Sequence, residues 1–156
     1  MIRMITVKIK GVDATVRSFD RKKDGIEDAL TEGTEDAADY LIEKIEDKFG
    51  HYQAGWAQLK DNTIRKEQAM GYGSNADKPL VMSADMMFSF DRKTSAKTRK
   101  HIVHITSDDP KLQYHMYGAP GAGVPKRDPV RPTMRKENEH ALDIIKNAVR
   151  RVISRS

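Results

Sequence analysis

Between residues 24 and 49 apolar side chains recur at three- and four-residue steps: Ile26, Leu30, Ala37, Ala38, Leu41, Ile42, Ile45 and Phe49. That period belongs to an α-helix with one apolar face, since strand side chains alternate every second residue. The spacing predicts a long helix over 22–49, with Asp24 as its N-cap and Gly50 where it stops. Gly33 lies inside it and, on propensity alone, costs about 1 kcal/mol relative to alanine. A helix this long must bury its stripe, so the remaining sequence has to supply a cover.

The cover reads as strands and a second helix. Ile5, Val7 and Ile9 alternate with polar residues, and after Gly11 the alternation resumes at Val12, Ala14 and Val16, which predicts an N-terminal hairpin. His101–Thr106 is rich in β-branched residues and reads as a strand. Leu142, Ile145, Ala148, Val149 and Val152 predict a C-terminal amphipathic helix with a basic face at Lys146, Arg150 and Arg151. Trp56, Leu59 and Thr63 read as a helical turn seating the only tryptophan on the long helix, and a short helix is expected from Ser83 to Met87. Long loops are expected at 69–78, 92–100 and 108–132, the second reading as a loop or hairpin tip. The last holds five of the six prolines with Gly118, Gly121 and Gly123, which excludes a continuous helix or central strand there. The fold class is therefore α+β: a small, mostly antiparallel sheet packed on one long amphipathic helix, with short helices and a C-terminal helix, in a single domain spanning 1–156.

The net charge of +5 conceals a segregation. Residues 1–23 carry +5, 24–49 carry −8, 50–91 carry −1 and 92–156 carry +9. Such asymmetry describes partners rather than fold. Basic side chains after Arg92 suit either phosphates, contacted without regard to sequence, or an acidic protein surface. The chain carries such a surface itself, so a second copy is one candidate partner. A head-to-tail contact of that kind makes a ring when it closes.

Chemistry-bearing patterns are sparse. Without cysteine there is no disulfide framework, thiolate metal site or cysteine nucleophile. His101 and His104, three apart on a strand, face opposite ways; His51, His115 and His140 are far apart in sequence, and no metal-ligand spacing occurs. No G-x-S-x-G elbow is present, and Gly118–Gly123 lacks the Lys-Ser/Thr and helix start of a phosphate loop. The expectation is a non-enzyme with neither metal nor cofactor. Residues 1–13 hold no apolar stretch of signal-peptide length and no 18-residue apolar run exists, so neither secretion by the usual route nor membrane spanning is expected.

One ordered set of residues carries a resemblance. Trp56-x-x-Leu59-x-x-x-Thr63-x-x-Lys66 is followed by Pro79-Leu80, Ser83 and Met86-Met87-Phe88-Ser89. Then come the strand Ile102–Ile105, Tyr114-His115-Met116-Tyr117-Gly118, a glycine/proline loop, Pro125-x-Arg127-x-Pro129-x-Arg131-Pro132 and a terminal helix. This layout, over about residues 50–153, resembles the tailed-phage virion morphogenesis (tail completion) family and the related head–tail joining proteins. The chain has Ala84 where that family usually has glycine after the serine, and Thr133 where it has an aromatic residue.

The resemblance implies a structural, non-catalytic adaptor that oligomerises into a ring in the neck or tail-terminator region of a virion, made in the host cytoplasm. Its implied partners are itself, portal or connector proteins and tail-tube proteins. DNA would pass through the lumen without sequence-specific binding, and no membrane is involved. Candidate subunit-interface residues are Glu32, Asp36 and Glu43 on the acidic side, with Lys97, Arg99, Lys100, Arg127, Arg131 and Arg135 on the basic side. Trp56, Leu59, Thr63, Pro79, Leu80, Tyr114, His115, Gly118, Pro129, Arg131 and Pro132 carry the motif. The alternative reading is a small basic nucleic-acid-binding protein; a hydrolase would need a catalytic cluster that the sequence does not offer.

Overall fold

The computed structural model describes residues 5–6, 23–81, 84–97 and 100–154. In chain order the elements are β1 (Ile5–Thr6), α1 (Lys23–Glu46), α2 (Asp61–Ala69), β2 (Phe90–Lys97), β3 (Lys100–Ser107), α3 (Pro110–Tyr117) and α4 (Arg131–Ser154). The architecture is α+β. Contacts cluster into two compact units. Of the described residues, one comprises those within 43–90 and 107–135; the other comprises those within 5–42, 91–106 and 136–154.

The second unit contains the helix that the periodicity predicts. Ile26, Ala29, Leu30, Ala37, Ala38 and Leu41 are all buried, and Ile45 continues the stripe. The helix ends at Glu46, three residues earlier than expected, in a turn that Lys48 and Phe49 tighten by donating to the carbonyls three residues back. Asp24 lies within the first turn rather than capping it. In α4, Ala141, Ile145, Ala148 and Val149 form the matching buried stripe. Gly33 sits where the two helices touch: a Cβ there would come within 2.8 Å of the Ala148 Cβ and 3.1 Å of the Ile145 Cα.

The sheet has the order β1-β3-β2. β1 pairs antiparallel with β3, Ile5 opposite Ile105 and Thr6 opposite His104. The rest of the expected N-terminal hairpin lies outside the described residues. The expected loop at 92–100 is instead mostly strand, because β2 runs to Lys97 and β3 begins at Lys100. The segment looked irregular because its side chains are charged, but polar contacts anchor it to α1. Arg92 Nη1 binds Glu35 at 2.7 Å, Arg92 Nε binds Asp39 at 2.8 Å, and Thr94 Oγ1 donates to Glu35 at 2.8 Å. His101 Nδ1 and Thr31 Oγ1 lie 3.1 Å apart. These contacts, with buried Val103 and Ile105 on β3, seat the sheet on the long helix.

The first unit is built from turns and short helices. Trp56 and Leu59 lie in irregular chain before α2 rather than in a helical turn of their own; only Thr63 is helical. The helix expected from Ser83 is a single 3-10 turn at Met87–Ser89; Ser83 itself lies outside the described residues. Within 108–132 there is a full helix, α3. Asp109 caps it by accepting from the Lys111 N–H at 2.7 Å, Pro110 occupies its first turn, and Gly118 ends it. Gly118 has φ 76°, and a Cβ there would meet the Lys126 nitrogen at 3.3 Å, so a side chain would be both strained and crowded.

Candidate functional site

The motif residues from Trp56 to Pro132 all fall within the first unit, and several converge on one open groove of about 690 Å³. Leu59, Thr63, Leu80, His115, Gly118 and Arg127 line it, drawn from four separate stretches of sequence. Leu80 and Ala84, also in its wall, have φ values of 68° and 61°. Such left-handed backbone costs a non-glycine residue roughly 1–2 kcal/mol. At position 84 it is the conformation a glycine adopts freely.

Arg127 holds the groove's wall in place. It is 3% exposed, and its Nε and Nη2 donate to the Ala57 carbonyl at 3.0 and 2.8 Å, with Nη2 also reaching the Gln58 carbonyl at 3.3 Å. Its own N–H donates to the His115 carbonyl at 2.7 Å. One fork therefore ties the Pro-rich segment to the chain before α2. Beside it, Asp128 accepts from the N–H groups of Val130 and Arg131 and from Arg131 Nε at 2.6 Å, which organises the start of α4. Arg131 Nη2 reaches the Met116 carbonyl at 2.8 Å, and its guanidinium lies 4.5 Å from the centre of the Tyr117 ring. Pro129 is fully buried, while Pro132 is exposed in the first turn of α4.

Two buried atoms facing this region have no hydrogen-bond partner among the described residues, Glu67 Oε2 and His115 Nδ1. Burial raises the Glu67 carboxyl above its ordinary value. Burial, and then the nearby Arg127 charge, lower the His115 imidazole. Lowering has a definite sign for stability. Above the unfolded value near 6.5, His115 is neutral in both states and adds no pH dependence. As pH falls below it, the unfolded chain takes up the proton first and folding stability is lost, by at most about 1.4 kcal/mol per pH unit. Denaturant titrations at pH 7.5 and 5.5 should show this acid loss, and His115→Gln should shrink it. An unchanged loss in the variant would assign it to other groups.

The expected subunit-interface residues have diverse surroundings. Glu32 and Asp36 are exposed on α1. Glu43 is exposed and 3.3 Å from Lys44. Arg135 is exposed on α4, whereas Arg127 is buried and Arg131 is engaged within its own unit. Arg99 lies outside the described residues, as do the side chains of Lys97 and Lys100. Among the motif residues, Trp56 is half-buried, Pro79 is fully buried with its carbonyl accepting from the Gly50 N–H, and Tyr114 is 58% exposed. Sequence reasoning did not find the Arg92–Glu35–Asp39 cluster or the four exposed lysines lining the groove, Lys60, Lys78, Lys111 and Lys126. The segment charges contained the signal for both, but the sequence does not give the pairing of distant positions.

Among the described residues no cluster of three His, Asp or Glu converges in a metal-holding arrangement, and no helix is long and apolar enough to cross a membrane. No family model, curated protein or solved structure matches the chain.

Proposed function

We propose that this protein is a structural, non-catalytic adaptor of a tailed-phage virion, a tail completion or head–tail joining protein that assembles into a homo-oligomeric ring in the neck or tail. The observation that carries the reading is the convergence of the family-like motif residues Leu59, Thr63, Leu80, His115 and Gly118 on one groove. That residues scattered over 60 positions are gathered around one surface supports reading them as one motif. Two further observations support it. Exposed carboxylates at Glu32 and Asp36 and the exposed groove lysines give one chain both signs of surface charge, which steers copies together. The left-handed backbone at Ala84 matches the family's glycine. Portal, connector or tail-tube proteins would then be its neighbours, and DNA would meet it only in passing.

Light scattering after size-exclusion chromatography tests the reading. The expected result is an integral multiple of the chain mass at millimolar-to-physiological salt, with assembly weakening as salt screens the steering charges. A strict monomer at every concentration and salt would refute self-association. Tight duplex binding by that monomer, falling steeply with salt, would favour the nucleic-acid-binding reading instead.

A further inference from the structure

We infer that the lysine-lined groove of one copy receives Phe88 of a second copy; this rests on the self-association proposed above. Phe88 is 68% exposed, the most exposed of the large hydrophobic side chains described. It is not loosely held. The Met87–Ser89 turn that presents it is pinned by Ser89 Oγ, which donates to the Met86 carbonyl at 2.8 Å and lies 2.6 Å from Ser107 Oγ. An aromatic side chain on an ordered turn has only two side-chain torsions to restrict on docking, which is why such residues anchor interfaces.

The groove complements this turn in shape and charge. Leu59, Leu80, Met86, Val124 and Pro125 give it an apolar lining, and its volume of about 690 Å³ exceeds what one aromatic ring needs. Phe88 is not among its own groove's lining residues, so that lining is open to an outside side chain. Around the apolar part lie Lys60, Lys78, Lys111 and Lys126, all exposed and without an ion pair among the described residues. Asp85 and Asp91 stand three residues before and three after Phe88, both exposed and likewise without an ion pair among the described residues. An aromatic residue flanked in sequence by two carboxylates therefore meets an apolar floor among four ammonium groups, in a lining that also holds Glu67 and Asp109, the latter already capping α3.

The acidic face of α1 fits the same lysines less well. Glu32 and Asp36 are exposed four residues apart on a helix, and neither brings an apolar side chain to fill the floor. The pairs formed by Asp85 and Asp91 would set orientation, and the buried ring would supply most of the affinity. Phe88 is not part of the groove although its turn adjoins it through Met86, so donor and acceptor are different residues and the contact repeats head to tail, closing into a ring when the rotation allows.

The absence of cysteine makes trapping direct. A mass-tagged Asp85→Cys chain mixed with a Lys126→Cys chain, both keeping Phe88, should give, on mild oxidation, a mixed disulfide dimer that neither chain gives alone. In the otherwise unmodified chain, Phe88→Ala should weaken assembly about thirtyfold or more, the loss of one buried aromatic contact. Lys78→Glu with Lys126→Glu should weaken it independently, with an unchanged far-UV spectrum showing that the variants fold. If the wild-type chain assembles but Phe88→Ala assembles equally and no mixed dimer forms, the inference is overturned while the ring reading stands. A wild-type chain that stays monomeric throughout overturns both.

Discussion

Replacing Arg127 with methionine is expected to lower the unfolding free energy by about 3 kcal/mol, read as a fall in the urea midpoint of roughly 1.5–2 M for a chain of this size. The guanidinium is buried and makes three hydrogen bonds to the carbonyls of Ala57 and Gln58. Hydrogen bonds from a charged donor contribute about 1.5–3 kcal/mol each in net terms, and methionine leaves the carbonyls with no donor in its place. Burial of the charge works the other way: it lowers the Arg127 value and takes back part of the gain. The balance still favours arginine because its partners are backbone groups that the substitution cannot remove. Arg127→Lys should fall between the two, since a single ammonium cannot fork across both carbonyls. A second readout separates this role from general packing. Arg127 helps to depress the His115 imidazole, so in Arg127→Met the His115 titration should move back toward its ordinary value. A loss under 1 kcal/mol with His115 unmoved would mean that the fork is not what ties the wall of the groove.

How far the sequence reveals this fold depends on which physical signal each part carries. α1 and α4 were legible because a long apolar stripe has a period that nothing else produces, and β3 because its β-branched run is short and bounded. β2 was not legible. Its side chains, Arg92, Lys93 and Thr94 among them, show no alternation, and the strand is anchored by ion pairs to Glu35 and Asp39 across more than 50 residues of chain. α3 was hidden for a different reason. Counting prolines as breakers obscured their position: Pro110, Pro120 and Pro132 each sit in the first turn of a helix, where the missing N–H has no partner to lose. The pair Asp109-Pro110 with Gly118 after it was a readable start and stop. For the site, motif order picked out Leu59, Leu80 and His115, but the basic charge of the 126–135 segment led to Arg127 being expected at a surface, because a sequence shows a charge without showing the carbonyls that surround it.

Gly33 is the position where propensity and packing predict opposite signs. On helix propensity alone Gly33→Ala should stabilise α1 by about 1 kcal/mol. The packing argument is stronger. The new Cβ would lie 2.8 Å from the Ala148 Cβ and 3.1 Å from the Ile145 Cα, distances at which something must move, and one of the two atoms is backbone. Overpacking in a filled core costs about 1–3 kcal/mol, so the alanine variant should come out destabilised by about 1 kcal/mol after its propensity gain. Gly33→Leu cannot be housed without parting α1 from α4. The buried stripe that would lose contact includes Leu30, Ala37, Ile145 and Val149, and the expected loss exceeds about 3 kcal/mol. Ala148→Gly offers an internal check. It removes the nearer obstacle but not the Ile145 backbone, so it should rescue Gly33→Ala in part and Gly33→Leu hardly at all, a coupling that a double-mutant cycle reads directly. A stabilised Gly33→Ala chain would instead mean that the helices separate at small cost, and that the glycine is tolerated in α1 without being required by its contact with α4.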